Sequence, residues 1–410
     1  MKPLALFALF GLATAACQSD RIASPSGSDV AAADQALVAS PGGPDARLLP
    51  QPGDEALRVQ TYNVYLGTNL DPILAATTQQ DFLVAAVRAY AELQQTDFPA
   101  RAGKIADQIA KVRPDVVGLE EVAIWSVSAP YDPATGQGAP AVVQYDFLRL
   151  IIDSLAARHL PYDSASVVRT SDVSAPVPTA FDQSGNPTAF ALVRFQDGDG
   201  ILVRRGIHWR DARNAKYQAY IPLNMLGTQT GLYRGWCSVK VTAAEKTFTF
   251  VASHLEAEDG GINYLQAQEL LGILDKVHGP VIWTGDFNSG PGVTSDFAPT
   301  YALVTSAGFT DLWPVAHPKD PGLTNGPLDG VGALDASGVL VPYPSLTFTT
   351  RIDLVLLRDR FGRARDVRAA IFGNQPGDRT PAGLWPSDHA SVGMAFELTG
   401  HREIARRDRW

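Results

Sequence analysis

The sequence contains few of the residues that build disulfide scaffolds and zinc sites. Its 410 residues include two cysteines, Cys17 and Cys237, and seven histidines that are scattered along the chain. Two cysteines form at most one disulfide, and they cannot supply four thiolates to a zinc ion. A disulfide-rich fold is therefore excluded, and a metal cluster of cysteine and histidine is disfavoured.

Long hydrophobic runs are also lacking. No stretch reaches the roughly 18 consecutive apolar residues that a membrane-spanning helix needs, which excludes a polytopic membrane protein. Hydrophobic residues still make up 45% of the chain, so a sizeable core can form. At roughly 100–200 residues per domain, the length accommodates one large domain or two ordinary ones.

The chain has fewer positively charged than negatively charged residues. The chain has 34 Lys and Arg residues against 43 Asp and Glu residues, which gives a net charge of −9. Because proteins that coat nucleic acid do so through extended basic surfaces, this balance argues against such a protein. A local basic cleft is still compatible with it.

Residues 1–17 have the features of an export signal. Lys2 precedes the apolar run Leu4–Ala16, which is too short to span a bilayer stably, and small residues lead to Cys17. This ending resembles the bacterial lipobox, in which the cysteine becomes the lipidated first residue. We expect export and lipid anchoring through Cys17 to the bacterial cell envelope, on its periplasmic or outer-membrane face. Secretion after cleavage near Ala16 is the alternative.

The segments that flank the main part of the chain lack core-forming residues. Residues 18–56 are rich in Ala, Ser, Pro, Gly and Asp, and they cannot bury enough surface to offset the entropy of ordering. They predict a flexible tether with a root-mean-square reach of about 35 Å. Residues 399–410 form a basic C-terminal tail that we expect to be frayed.

Residues 57–398 predict one domain of alternating strands and helices. Runs of β-branched and aromatic residues predict strands at Leu57–Tyr65, Asp115–Val122, Gly200–Arg204, Trp236–Val241, Thr247–Ser253, Pro280–Thr284, Ile352–Leu357 and Ala390–Leu398. Apolar residues three and four apart predict helices at Phe82–Gln94, Arg101–Val112, Tyr145–Arg158 and Asn263–Val277. The Gly- and Pro-rich stretches Ala129–Pro140 and Pro321–Pro344 predict surface loops. Consecutive strands indicate packed sheets with helices outside.

Polar side chains stand at the ends of six of these strands. They are Asn63 in TYNVYLG, Glu120 and Glu121 in DVVGLEEV, His254 in TFVASHLEA, Asp286 and Asn288 in PVIWTGDFNS, Asp353 in RIDLVLL, and Asp388 and His389 in WPSDHASV. One acid at a strand end is more often a turn cap, and one histidine is more often structural. Six such motifs, all offering oxygen or nitrogen ligands, predict a shared site instead.

The residues of these motifs and their order along the chain resemble those of the endonuclease/exonuclease/phosphatase (DNase I-like) family. The resemblance covers residues 57–398, and the GDFN and SDH segments occur in the family's order. It implies an α/β fold, a four-layered α/β/β/α sandwich of two packed β-sheets flanked by helices, with the site at one edge. Two positions depart from the family pattern, since Glu120 stands where Gln is usual and Ser253 stands where Thr is usual.

The resemblance also implies a role for each residue. Glu121 would be the principal metal ligand, with Asn63 supporting it and Asp388 beside the metal. Asp286 would orient or deprotonate the attacking water, and Asn288 would hold a phosphate oxygen. His389 and Asp353 would form an imidazole–carboxylate pair, and His254 would donate to a nonbridging or leaving oxygen. The residues alone do not separate Glu120 from Glu121 as the ligand.

These groups suit hydrolysis of a phosphoester, most readily a phosphodiester. The reaction needs an activated water, neutralised phosphoryl oxygens and help for the leaving alkoxide. Hard oxygen ligands select Mg²⁺, or Mn²⁺, over Zn²⁺ as the cofactor. The substrate class stays open between nucleic acid and a phospholipid or sphingomyelin-like molecule, and we expect a monomer without a protein partner. The alternative is a non-catalytic binding module, which would lack Asp286, His254 or His389.

Two basic segments leave alternatives open. Arg204 and Arg205 are compatible with a phosphate contact and equally with a solvated strand end. The run Arg358–Arg368 is either a basic loop that faces substrate or a solvated connection.

We predict that replacement of Cys17 by Ser releases the protein from membranes, because the thiol that would carry the lipid is lost. Cell fractionation measures the release, and mass spectrometry of the mature N-terminus should find a diacylglyceryl Cys17. Cys237→Ser makes the same atomic change in a segment that resembles a buried strand, and it should leave the protein in the membrane fraction. Retention of the Cys17→Ser protein on membranes would contradict lipid anchoring.

Overall fold

The computed structural model describes residues 56–225, 228–328, 330–360 and 363–399. In these ranges the strands are β1 (Leu57–Asn63), β2 (Val116–Glu120), β3 (Ile124–Asp132), β4 (Gln137–Gly138), β5 (Val142–Asp146), β6 (Tyr162–Phe181), β7 (Pro187–Arg204), β8 (His208–Lys216), β9 (Ile221–Met225), β10 (Thr228–Leu232), β11 (Gly235–Ala243), β12 (Lys246–His254), β13 (Val281–Asp286), β14 (Thr310–Asp311), β15 (Gly332–Leu334), β16 (Leu340–Pro342), β17 (Asp353–Arg358), β18 (Ala364–Phe372) and β19 (Ser391–Leu398). The predicted signal peptide, most of the predicted tether and most of the predicted tail lie outside the described residues.

Four of the helices in the described residues start at a side chain that caps them. They are α1 (Asp71–Leu74), α2 (Gln79–Gln95), α3 (Phe98–Val112), α4 (Phe147–Ala156), α5 (Gly260–Leu274), α6 (Ala298–Ser306) and α7 (Trp313–Ala316). The side chains of Thr78, Asp97, Asp146 and Asp259 accept backbone N–H groups at the starts of α2 to α5. Among the described residues, no helix has both the length and the apolar character that a membrane crossing requires.

The first sheet has nine strands in the order β18-β19-β1-β2-β7-β3-β4, with β5 paired to β3 and β6 paired to β7. Strands β1 and β2 are parallel, so Asn63 lies beside Glu120 where both strands end. The second sheet has the order β14-β17-β13-β12-β11-β8. In it His254 pairs with Asp286 and Asp286 pairs with Asp353, which brings the ends of three strands together.

The two sheets pack face to face with helices on the outside, which confirms the predicted four-layered sandwich. Between the sheets lies a core that includes Val59, Val116, Ile201, Phe250 and Val355. Helices α3 and α4 cover the outer face of the first sheet, and α5 and α6 cover that of the second. Near the site a Cβ on Gly118 would lie 2.8 Å from Thr284 Oγ1 and 2.9 Å from Ala252 Cβ, so this close approach requires glycine.

The predictions for the two long loops were wrong in part. Strand β3 runs to Asp132 and pairs with β4, so the stretch 129–140 is largely a hairpin. The stretch 321–344 contains the short hairpin of β15 and β16. Sequence analysis missed both hairpins because their Gly and Pro residues resemble those of loops. Such residues also occur in edge strands and short strand pairings.

Strands β6 and β8 were not predicted, and the predicted strand Gly200–Arg204 is only the end of the 18-residue β7. Strand β6 contains Pro176 and Pro178, which resemble turn residues. Because β6 hydrogen-bonds only to β7, its other edge needs no N–H donors and tolerates proline. Strand β8 is a polar edge strand, and such strands lack the hydrophobic alternation that sequence analysis detects.

Both basic segments lie away from the polar strand ends described above. Arg204 and Arg205 form ion pairs with Asp115 and Asp163, where β2 begins. Arg358 pairs with Val281 in the sheet register, at the end of β17 that is remote from Asp353. Arg204 and Arg205 therefore match the strand-end alternative. For the run Arg358–Arg368 neither alternative describes the whole segment, because Arg358 is buried and residues 364–368 belong to strand β18.

Candidate functional site

Asn63 links the two sheets at the edge where their polar strand ends meet. Its amide Nδ2 donates to Glu121 Oε1 at 3.0 Å and to Asp286 Oδ2 at 3.1 Å, while its Oδ1 accepts from the Tyr65 amide. Because the backbone amide can only donate, this contact fixes which side of the Asn63 amide faces the acids. One side chain of β1 therefore sets the spacing between an acid of the first sheet and an acid of the second.

Glu121 and Glu120 have different surroundings although they are adjacent. Glu121 has a left-handed backbone with φ of 61°, and its Oε2 accepts from the Leu66 amide at 2.6 Å. Its carboxylate lines a surface cavity. Burial, together with the charges of Asp197 and Asp388, raises the pKa of Glu121 to about 8, which marks a concentration of negative charge that a cation would relieve.

Glu120 lies between the sheets and is fully buried. It accepts from Thr61 Oγ1, and its Oε1 lies near the position that a Cβ of Gly118 would occupy. Burial and the nearby Asp199 raise the pKa of Glu120 well above its usual range. A neutral Glu120 carboxyl has nearly the shape of the Gln that the family usually has at this position.

Asp286 lies at the centre of the site. Its Oδ1 accepts from the Asn288 amide at 2.9 Å, and its Oδ2 lies 3.5 Å from His254 Nε2 and 3.7 Å from His389 Nε2. Burial raises the pKa of Asp286 to about 6, against the opposing effect of His389. The carboxyl is therefore poised to exchange a proton near neutral pH.

The two histidines have opposite electrostatic surroundings. His389 Nδ1 lies 3.0 Å from Asp353 Oδ2. Burial lowers the pKa of His389, but Asp353, Asp286 and Asp388 outweigh it, so this pKa lies well above its usual range. Burial and the charges of Arg234 and His389 hold the pKa of His254 well below its usual range. His389 is therefore the more easily protonated imidazole of the two, and His254 is the less easily protonated one.

Three polar groups surround the ring of His254. Arg234 Nη1 lies 3.1 Å from His254 Nδ1, and an arginine can only donate, so Nδ1 is an acceptor in this contact. Nε2 lies 3.2 Å from Asn288 Nδ2 and 3.5 Å from Asp286 Oδ2.

Six of the predicted site residues line one cavity of about 300 Å³, namely Glu121, His254, Asp286, Asn288, Asp388 and His389. Asn63 and Asp353 lie behind this wall and hydrogen-bond to its members. Asp388 Oδ2 accepts from the Gly330 amide, which fixes its carboxylate. Asn288 Nδ2 donates to the Leu255 carbonyl and lies 3.2 Å from His254 Nε2.

Sequence reasoning missed two residues of this wall. Asn325 Nδ2 lies 2.9 Å from His389 Nε2, and Arg234 is the one Lys or Arg side chain among the described residues that line the cavity. Asn325 belongs to the stretch 321–344, which was predicted to be a surface loop and was not searched for site residues. The tyrosine–arginine pair before β11 gave no signal, because one basic residue at a strand start is common.

The donor atoms fit a hard divalent cation. Asp286, Asp353 and His389 each place a ligand atom within 4.8 Å of the others. Asp353 Oδ1 is buried without a hydrogen-bond partner among the described residues, and each Glu121 oxygen has a single donor. Oxygen-rich sets of this kind suit Mg²⁺ or Mn²⁺ better than softer metals.

Comparisons with known proteins give a family and several distant structural neighbours. Truncated TDP2 from Caenorhabditis elegans is 15% identical over 83% of this chain and 97% of its own, with a TM-score of 0.46. A family protein from Leptotrichia buccalis C-1013-b is 14% identical over 83% and 100%, with a TM-score of 0.43. The human nocturnin catalytic domain with bound sulfate is 15% identical over 84% and 96%, with a TM-score of 0.41. The search of curated proteins finds no match.

The family assignment comes from the sequence model and not from these neighbours. Residues 61–389 match the model of the Endonuclease/Exonuclease/phosphatase family. The matched segment spans most of the chain and includes every motif from Asn63 to His389. The chain therefore belongs to the endonuclease/exonuclease/phosphatase family.

Proposed function

We propose that the protein hydrolyses phosphodiester bonds with the help of Mg²⁺ or Mn²⁺. Family membership supports metal-dependent hydrolysis of phosphoesters in general. The observation that carries the finer proposal is the contact of Asp286 Oδ2 with Asn63, His254 and His389 at 3.1–3.7 Å. The Asp286 carboxylate, the Asn63 amide and two imidazoles therefore meet at one point of the site.

Glu121 would be the principal ligand of the cation, with Asp388 beside it. Asn63 and the Leu66 amide hold the two oxygens of the Glu121 carboxylate, which fixes the direction of their free lone pairs. When bound, the cation would neutralise the phosphoryl oxygens and assist departure of the alkoxide.

Asp286 would orient and deprotonate the attacking water. The Asn288 amide donates to Oδ1 and Asn63 Nδ2 donates to Oδ2, so the direction of the carboxylate is fixed. A pKa near 6 leaves a carboxylate at neutral pH that is more basic than an ordinary aspartate. The Asn288 side chain lies beside it in the cavity wall and would hold a phosphate oxygen.

The histidines would serve as two kinds of donor. His389, held by Asp353, would place a positive charge against the developing charge of the phosphoryl group. His254 would donate its Nε2 proton to a nonbridging or leaving oxygen, because Arg234 occupies Nδ1. Retention of Asp286 and both histidines argues against the binding-module alternative.

The charges of the cavity wall favour a substrate that presents a single phosphodiester. Six acids line it, namely Asp71, Glu121, Asp197, Glu258, Asp286 and Asp388, while Arg234 is the one basic side chain among the described lining residues. Such a wall repels the further phosphates of a nucleic-acid strand. We therefore propose a phospholipid-like diester, which agrees with an envelope-anchored enzyme, and treat nucleic acid as the competing outcome.

A panel of substrates tests this proposal. The purified protein with Mg²⁺ should hydrolyse bis-p-nitrophenyl phosphate and sphingomyelin or phospholipid vesicles faster than plasmid DNA or RNA. The metal chelator EDTA should abolish the activity, and Mg²⁺ or Mn²⁺ should restore it. Preferred cleavage of DNA or RNA would replace the phospholipid assignment, and the lack of any metal-dependent hydrolysis would refute the proposed function.

Glu121→Gln should raise the Mg²⁺ concentration for half-maximal activity by about 10-fold or more, because it removes a ligand charge with little change in volume. Glu120→Gln is the matched control and should leave this concentration within about 3-fold, because Glu120 is buried between the sheets and does not line the cavity. Activity measured against metal concentration distinguishes them. A larger effect at Glu120 would reverse the assignment of the pair.

His389→Ala should lower turnover by about 10²–10⁴, the range of a general acid or base. Asp353→Asn should lower it too, because the imidazole loses the partner that orients and charges it. The double variant should be little worse than His389→Ala, since the two residues act as one unit. Near-full turnover of folded His389→Ala protein would favour the binding module, and additive losses would separate His389 from Asp353.

A further inference from the structure

Arg101 is a buried arginine that hydrogen-bonds to four backbone carbonyls. It lies in the first turn of α3 and has no exposed surface. Its Nε donates to Thr96 at 3.0 Å, Nη1 donates to Val64 and Pro386 at 2.9 Å each, and Nη2 donates to Tyr65 at 3.2 Å. No ion pair with a carboxylate is found for it within the described residues, so the guanidinium is solvated by carbonyl dipoles and by the rings of Tyr65 and Phe98, whose centroids lie 5.2 and 4.8 Å from its Cζ.

Two of these carbonyls belong to the loop that orients Glu121. Val64 and Tyr65 directly follow Asn63, and the next amide, that of Leu66, donates to Glu121 Oε2. Tyr65 has a left-handed backbone with φ of 58°, a conformation that a bulky residue keeps only when its surroundings enforce it. The hydrogen bonds from Arg101 to the carbonyls of Val64 and Tyr65 help to hold the loop in this conformation.

A third carbonyl belongs to the segment on the other side of the site. Pro386 precedes Ser387, Asp388 and His389, and the Ser387 hydroxyl donates to the Asn63 carbonyl at 2.7 Å. The Nη1 atom of Arg101 thus joins the residues after Asn63 to the residues before Asp388. The side chain of a lysine has one donor nitrogen and cannot reach these diverging carbonyls together.

We propose that Arg101 is a positioning residue that sets the distance between Glu121 and the Asp388–His389 pair. It touches neither substrate nor reacting atoms, and it acts through the backbone of residues 64–66 and 386. This inference rests on the proposed function for its kinetic readout. Metal binding without substrate provides a readout that does not depend on that function.

The test compares R101K with a core variant of the same helix. R101K keeps the positive charge but loses the guanidinium nitrogens that donate to several carbonyls. Mn²⁺ should therefore bind about 10–100-fold more weakly, as measured by calorimetry. In kinetic assays kcat should fall by a larger factor than KM rises. Ile109→Ala removes a fully buried side chain on α3 that faces the core of the first sheet. It should lower the melting temperature at least as much while leaving Mn²⁺ affinity and kcat unchanged.

Each outcome either supports or contradicts a positioning role for Arg101. Wild-type Mn²⁺ affinity in folded R101K would overturn the proposal, and so would an equal loss of affinity in Ile109→Ala. If R101K does not melt cooperatively, R101Q, whose amide can still donate to two carbonyls, takes its place. Failure of both to fold while Ile109→Ala folds would show a purely structural role. If no phosphodiester is cleaved by the wild type, the proposed function fails and the calorimetric comparison still tests Arg101.

Discussion

The site depends on one amide group that hydrogen-bonds across the junction of the two sheets. Asn63 Nδ2 contacts Glu121 of the first sheet and Asp286 of the second, and it lies where strands β1, β2, β12 and β13 all end. Two carboxylates this close repel each other unless a donor or a cation lies between them. The amide supplies part of that compensation, and the remaining negative charge would favour a divalent cation at the site.

Burial and neighbouring charge then give similar residues different properties. Glu120 and Glu121 are adjacent, yet one lies in the interior between the sheets and the other lines the cavity. His254 and His389 both lie near Asp286 Oδ2, yet the first faces a guanidinium and the second faces a carboxylate. Residue type therefore provides the chemical group, and packing decides its charge. Two imidazoles whose pKa values are shifted in opposite directions therefore coexist within a few ångströms of one carboxylate.

The loops around the site are as constrained as the strands. The loop after β1 is tied by Arg101, by the Glu121 carboxylate and by Glu92, which accepts from Tyr65, Thr68 and Asn69. The stretch before β17 reaches the site through Asn325, whose backbone pairs with Thr350. Such buried hydrogen bonds are costly to break, because the freed groups cannot reach water. The acid cluster is thereby held in place against its own repulsion.

The sequence by itself determined the family, the four-layered architecture and the short list of polar residues at strand ends. It could do so because the hydrophobic runs are long enough to mark the central strands, and because the GDFN and SDH segments keep their order. It did not determine the edge strands β6 and β8, where proline and polar residues are tolerated because one edge has no strand partner. The residues alone did not separate Glu121 from Glu120, and the choice of Glu121 came from the family resemblance. Only the tertiary structure decided that Glu120 is buried between the sheets, that Arg234 accompanies His254, and that Asn325 accompanies His389. These pairs are far apart in the chain or depend on the direction of one side chain, and such contacts are fixed by the packing of the two sheets and not by any local pattern of residues.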